Sequence, residues 1–184
     1  SPSWISTILF LFGVMFFWGA VYIYMPILPP YAQMVGGSLQ AAGVVMGAYG
    51  LSQLLLRIPL GIWVDYLGSR KPFIFLGFVL DGAASLGLIF SQSTAMLFLS
   101  VFTAGMAAST WVAFTVLFAN YFPLGQVGRS MGLIFFFVRL SQALTNYAGG
   151  AIAERWGWLV PFYAGAVLSL LGLLLTIGIP ERRP

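Results

Sequence analysis

The stretch Gly61-Ile62-Trp63-Val64-Asp65-Tyr66-Leu67-Gly68-Ser69-Arg70-Lys71 decides how the rest of the chain is read. Apolar runs flank it on both sides, so it reads as the end of one helix, a tight turn and the start of the next. Gly61, one turn before the helix end, lets another helix approach. Asp65 sets a carboxylate at the mouth of the bundle, and Gly68 permits the turn. Arg70 and Lys71 hold the loop in the cytosol, because short loops rich in Lys and Arg are retained on that side of a membrane.

Working outward, the apolar runs continue over almost the whole 184-residue chain, which is 60% hydrophobic and 7% charged. A soluble domain carries about 25% charged residues, and water cannot solvate a surface this apolar. Runs of about 20 apolar residues suffice to cross a bilayer. The sequence predicts six, at 4–28, 39–66, 72–91, 95–122, 127–153 and 158–179. Pro29-Pro30 and Gly36-Gly37 separate the first two, Gly68-Ser69 the second and third, and Pro123 with Gly125 the fourth and fifth. The runs are the body of the protein and not a cleavable leader. No linker has room for a soluble domain, so residues 1–184 form one transmembrane unit.

In a six-span arrangement Arg70, Lys71, Arg129, Arg182 and Arg183 share one side, and only Arg155, beside Glu154, falls on the other. Both termini are therefore expected in the cytoplasm, the localisation being the cell membrane. The same pattern accounts for the net charge of +4 without a nucleic-acid partner. With no Cys and no His, thiol chemistry, Cys/His metal sites, disulfides and a Ser-His-Asp triad are excluded. Four acidic residues leave little for a carboxylate metal cage, so neither a metal nor a cofactor is expected.

Compared with itself at an offset of 89, the chain matches Leu51-Ser52-Gln53 to Leu140-Ser141-Gln142. Gly43, Leu55, Gly61 and Gly68 meet Gly132, Leu144, Gly150 and Gly157, and Asp65 meets Glu154. Spans 2 and 5 become counterparts running in opposite directions, which divides the chain into repeat units of about 1–92 and 93–184. This is the inverted three-plus-three pattern of secondary transporters.

The opening stretch resembles the signature between the second and third helices of the major facilitator superfamily, G-x-x-x-D-[R/K]-x-G-x-[R/K]-[R/K]. Gly61, Asp65, Gly68, Arg70 and Lys71 fit, and Tyr66 replaces the basic residue after the aspartate. Phe122-Pro123 followed by Arg129 and Gly132, and Gly157-Trp158, resemble later junctions of the family, so the likeness covers essentially the whole chain. It implies an all-α membrane fold, the N-terminal six-helix half of a twelve-helix transporter. Two positions depart from the pattern. Val101 stands where an arginine is common on the fourth helix, and Thr145-Asn146 replace the Gly-Pro that precedes Gly149-Gly150 in antiporters. The family's length implies a fragment or separately made half. The alternative is a natural six-helix protein that pairs with itself.

Charges inside spans cost about 2.5 to 3.5 kcal/mol at a helix centre and mark candidate sites. Arg57, Asp81 and Arg139 each lie about 12 to 15 Å from the cytoplasmic interface at 1.5 Å per residue. Arg139, Gln142 and Asn146 share one face of span 5 by their i, i+3, i+7 spacing, and Tyr49, Gln53 and Arg57 follow one face of span 2. These stripes read as the lining of a central cavity, since the resemblance turns spans 2 and 5 toward the partner half. Arg57 and Asp81 form either a structural ion pair or part of a site. Arg139 is left as the surplus cation, suited to an anionic group. Trp18, Tyr22 and Trp111 lie on spans 1 and 4, which the resemblance makes cavity helices, whereas Gly105, Ala108 and Ser109 read as packing positions.

The sequence thus predicts a transporter of a small molecule, with Arg139 suiting an anionic one, coupled to protons, with Asp81 the one deep carboxylate. Its partners are the lipid bilayer and a second six-helix half or a second copy. The rival reading is a non-transporting six-helix scaffold. An intramembrane enzyme is disfavoured, because the deep polar residues assemble no nucleophile, base and orienting group.

Overall fold

The computed structural model describes residues 4–178. Arg182 and Arg183, two of the five expected cytoplasmic loop cations, lie outside the described residues. The chain is helical nearly throughout, in the order α1 (Trp4–Tyr22), α2 (Leu28–Gly36), α3 (Leu39–Leu67), α4 (Lys71–Phe90), α5 (Thr94–Ser109), α6 (Trp111–Ala119), α7 (Val127–Trp156) and α8 (Val160–Ile177). Local chemistry starts these helices where they start. The Ser38 hydroxyl accepts from Ala41 N (3.1 Å) ahead of α3, and Ser93 from Met96 N (3.3 Å) ahead of α5. Pro72 and Pro161 occupy first-turn positions of α4 and α8, where a missing N–H costs nothing.

Five stretches are long and apolar enough to cross a membrane: Trp4–Tyr22, Leu39–Leu67, Lys71–Phe90, Thr94–Ala119 and Val160–Ile177. The remaining expected span, α7, has 30 residues but falls short in apolarity, because Arg139, Gln142 and Asn146 interrupt it. At 1.5 Å per residue it is about 45 Å long, against a hydrocarbon core of about 30 Å.

Two expected spans are not single straight helices. The first ends at Tyr22 and turns over residues 23–27; the short helix α2, with Pro29-Pro30 in its first turn, then leads to α3, so the prolines stand between the first two crossing stretches. In that position the prolines also start a helix, since a first-turn N–H has no partner to lose. The fourth run is interrupted at Thr110, whose hydroxyl donates to Ala107 O (2.7 Å). Tyr22, the end of α1, and Trp111, the start of α6, are counterparts at the offset of 89. Gly68 (φ +62°) and Gly157 (φ +100°), another counterpart pair, terminate α3 and α7 with backbone that disfavours a side chain.

Packing is uneven. Helix α5 lies against both α3 and α4, α4 and α1 lie against α8, and α1 also meets α7. An aromatic cluster fills the end near the 61–71 loop, with Phe10 stacked on Phe118 (5.1 Å) and Phe17 beside Phe114 (4.6 Å). A second cluster around Tyr24, Leu28, Val45, Leu97, Val101 and Phe162 fills the other. Val101 is fully buried there, an apolar environment that suits the residue present. Gly105 sits against Tyr49 O and the Ser52 side chain, so α5 and α3 touch backbone to backbone where any Cβ would collide.

The opposite faces of α3 and α7 are bare. A Cβ on Gly61 would meet nothing within 4 Å, and the same holds for Gly43, Gly47, Gly50, Gly132 and Gly150. Leu54, Ile58, Ile62, Phe136 and Tyr147 are exposed alongside them. The helix that Gly61 was expected to admit is not among the described residues.

Candidate functional site

Where α1, α3, α6 and α7 converge, a cavity of about 390 Å³ opens on this bare side. Trp18, Tyr22, Arg57, Trp111 and Arg139 line it together. Helix α1 contributes Trp18 and Tyr22 one turn apart at its end, and α6 begins at Trp111, so both helix interruptions border the cavity. The rings form a continuous wall. Trp18 stacks on Tyr22 (5.6 Å, 24°), meets Trp111 edge-on (5.3 Å), and Trp111 meets Phe135 (6.2 Å). The Trp18 indole N–H is buried without an acceptor.

The two arginines enter from α3 and α7. Arg139 Nη1 donates to Gln142 Oε1 at 2.7 Å, one turn further along the same helix face. Among the described residues Arg57 has no ion pair, and its side chain is exposed. Gln53 lies beside Arg57 in an adjoining groove of α3 with Gly50 and Leu54, outside the cavity. Asn146 continues the α7 face beyond Gln142 but does not line the cavity, and its Oδ1 is buried without a partner. Tyr49 departs from its expected stripe, since its hydroxyl is buried.

The acids are elsewhere. Asp81 is fully buried, and neither carboxylate oxygen has a hydrogen-bond partner. The expected Arg57–Asp81 ion pair is absent among the described residues. The reason is azimuth: α5 packs against both α3 and α4 and separates them, while Asp81 turns toward α8 and Ser169. The Tyr24 and Ser85 hydroxyls, also buried and unpartnered, complete this polar cluster. Asp65 is exposed at the end of α3, and Glu154 borders a different cavity with Pro26, Pro30 and Trp158.

In the 61–71 loop, Gly68 N–H closes on Asp65 O (3.3 Å), and the Arg70 guanidinium donates to Gly68 O (2.9 Å). Lys71 Nζ reaches Ile177 O (3.0 Å), tying the loop to the C-terminal end of α8, where a cation favours the helix dipole. Sequence reasoning missed Thr115 and Phe135 as cavity residues. They stand four residues from Trp111 and Arg139, so helical spacing from the chosen anchors would have found them. Tyr24, Ser85 and Ser169 were missed as companions of Asp81. Ser85 follows Asp81 by four, but nothing local points to α8.

A bundle of long apolar helices with a cavity lined by arginines and aromatic rings defines a polytopic membrane protein. The chain belongs to the Major Facilitator Superfamily, whose sequence model matches residues 10–184. It is 27% identical over 174 residues to an uncharacterised MFS-type transporter of Methanocaldococcus jannaschii, covering 94% of this chain and 43% of that protein. Inner membrane transport protein YajR of Escherichia coli is 27% identical over 158 residues, covering 85% and 34%. Quinolone resistance protein NorA of Staphylococcus aureus is 25% identical over 167 residues, covering 90% and 42%. The chain thus spans less than half the length of these relatives. The fold also matches a crystal structure of a peptide transporter, POT, in complex with sulfate, with a TM-score of 0.79 at 18% identity over 94% of this chain and 37% of that one. The protein is a multi-pass membrane protein seated in a lipid bilayer.

Proposed function

We propose that the chain acts as the N-terminal half of a secondary active transporter, not as an enzyme, moving a small anionic molecule across the cell membrane. In this reading α7 is the sixth crossing, the two three-helix units are inverted repeats, and both termini are cytoplasmic. A second six-helix half, or a second copy, covers the bare faces of α3 and α7, and the two bodies rock around the cavity in alternating access. The observation that carries the reading is that Arg57 and Arg139, on sequence-related helices, line one cavity on the face that the rest of the chain leaves uncovered.

Coupling to protons is assigned to Asp81, which alone among the described acids lies deep within its helix and fully buried, whereas Asp65 and Glu154 stand at helix ends. Asp65 is assigned the role of a latch, its carboxylate meeting the N-terminus of a facing helix in one state of the cycle. The decisive experiment is Arg139→Lys in reconstituted vesicles. It keeps the charge but loses the planar fork that binds a carboxylate or phosphate through two hydrogen bonds. Anionic-solute binding should fall while expression and assembly survive, and unchanged affinity defeats the role. Oligomeric mass, measured on the same preparation, separates pairing with a second half from self-pairing. Topology is checked with cysteines at Gly125 and Trp158, both exposed. An impermeant thiol reagent applied outside intact cells should label only the Trp158→Cys variant.

A further inference from the structure

We propose that the cavity between α1, α3, α6 and α7 takes an aromatic organic anion, its acid group held between Arg57 and Arg139 and its ring laid against Trp18, Tyr22 and Trp111. The inference rests on the transporter reading above and specifies its substrate class.

The argument is a census of charge and shape. An aromatic wall by itself suits a cation, because ring faces are electron-rich. Here the wall is paired with two guanidinium groups, and no carboxylate lines the cavity to offset them. The three described acids are all accounted for elsewhere: Asp65 at the end of α3, Asp81 sealed beside α8, Glu154 at another cavity. The lining's donors are the two guanidinium groups and the unpartnered Trp18 indole N–H. Thr115 spends its proton on Val112 O (2.9 Å) and keeps only acceptor capacity, and the Gln142 acceptor beside the cavity is already engaged by Arg139. A ligand that satisfies this lining brings acceptors and negative charge. Ring geometry supplies the rest of the class, since Trp18, Tyr22, Trp111 and Phe135 form an unbroken wall to which a further ring adds by stacking or edge contact. A volume of about 390 Å³ lies at the small end of ligand cavities, which suits one or two fused rings.

The test is equilibrium dialysis of the 184-residue chain in lipid nanodiscs against four probes: 2-naphthoate, 2-naphthamide, cyclohexanecarboxylate and 2-naphthylmethylammonium. Naphthoate should bind about tenfold more tightly than the amide, which lacks the charge-assisted bonds. Arg57→Gln and Arg139→Gln, both at exposed side chains, should reduce naphthoate binding by about fivefold and about fifteenfold respectively. Tyr22→Leu should weaken naphthoate and leave cyclohexanecarboxylate unchanged. Equal or tighter binding of the ammonium probe overturns the proposal, as does an absence of saturable naphthoate binding. Vesicle uptake of labelled naphthoate separates the two readings. Saturable binding without uptake keeps the ligand class and defeats transport by paired copies of this chain. Uptake of another solute with no naphthoate binding defeats the ligand class alone.

Discussion

Asp81 and Arg139 stand at similar depth along their helices, yet they occupy opposite kinds of environment. Asp81 lies on the packed side, sealed by α4 and α8 among hydroxyls of Tyr24, Ser85 and Ser169. Arg139 lies on the open side, facing a cavity and bonded to one neighbour on its own helix. The difference teaches that depth and direction are separate questions in a membrane bundle. Position along a helix sets depth, but only packing partners decide whether a charge is enclosed by protein or left toward a cavity.

The packed and open sides should differ most when a side chain is added to a glycine. Gly105→Leu drives a branched chain into the Ser52 side chain and into Tyr49 O, backbone that cannot give way, and should cost about 3 kcal/mol or prevent assembly. Gly61→Leu enters empty space and should leave the chain's own unfolding midpoint unchanged. Denaturant unfolding in detergent compares the two. Equal losses would erase the distinction between the sides.

A smaller effect on folding, but a selective one on function, is expected at Asp81. Asp81→Asn preserves shape and polarity among the three hydroxyls, so helix content and naphthoate binding should stay within about twofold. Uptake driven by an imposed pH gradient should be lost, while exchange at equal pH on both sides persists. Retention of gradient-driven uptake would remove Asp81 from the coupling role.

These contrasts also show what the sequence could and could not reveal. Helices α3, α4 and α8 were legible because long, mostly apolar runs end at residues with a strong local reason to stop, such as Gly68. The arginines and the Trp18, Tyr22, Trp111 trio were legible as candidates, since charge and ring size stand out against an apolar background. Three things were hidden. The interruption after Tyr22 falls within an apolar run, and the docking of α2 against α3 is not set by residue type alone. The partner of Asp81 depended on α5 intervening between α3 and α4, a matter of lateral order. The emptiness around Gly61 belongs to a face that nothing else among the described residues covers, which no local signal announces.

On the open side itself, the two guanidiniums should be separable by how each is held. Arg139 is steadied by Gln142, whereas Arg57 has no such partner in the cavity. A less ordered side chain loses more conformational freedom on binding, so Arg57 enters with a larger entropic cost. Arg139→Gln should therefore cost more naphthoate affinity than Arg57→Gln, by about threefold, although both remove one charge. Isothermal titration of the two variants decides it, and the reverse order would show that the Gln142 bond does not preorganise the site.

The smallest expected effect is at Gln142 itself. Its Oε1 accepts from Arg139 Nη1 at 2.7 Å across one helical turn, at a partly exposed position where water competes for the same proton. Removing the acceptor leaves the guanidinium charge in place and unties only its direction. Gln142→Ala should weaken naphthoate binding by about threefold, near the lower limit for one hydrogen bond in contact with solvent. It should leave helix content and unfolding unchanged, because no other part of the described chain depends on that bond. The informative comparison is with the double variant Gln142→Ala, Arg139→Gln. If the amide acts only through the arginine, the double variant binds no more weakly than Arg139→Gln alone, a non-additivity that marks two groups acting as one. Additive losses would mean that Gln142 contacts the ligand in its own right, and the cavity would then extend further along α7 than its present lining.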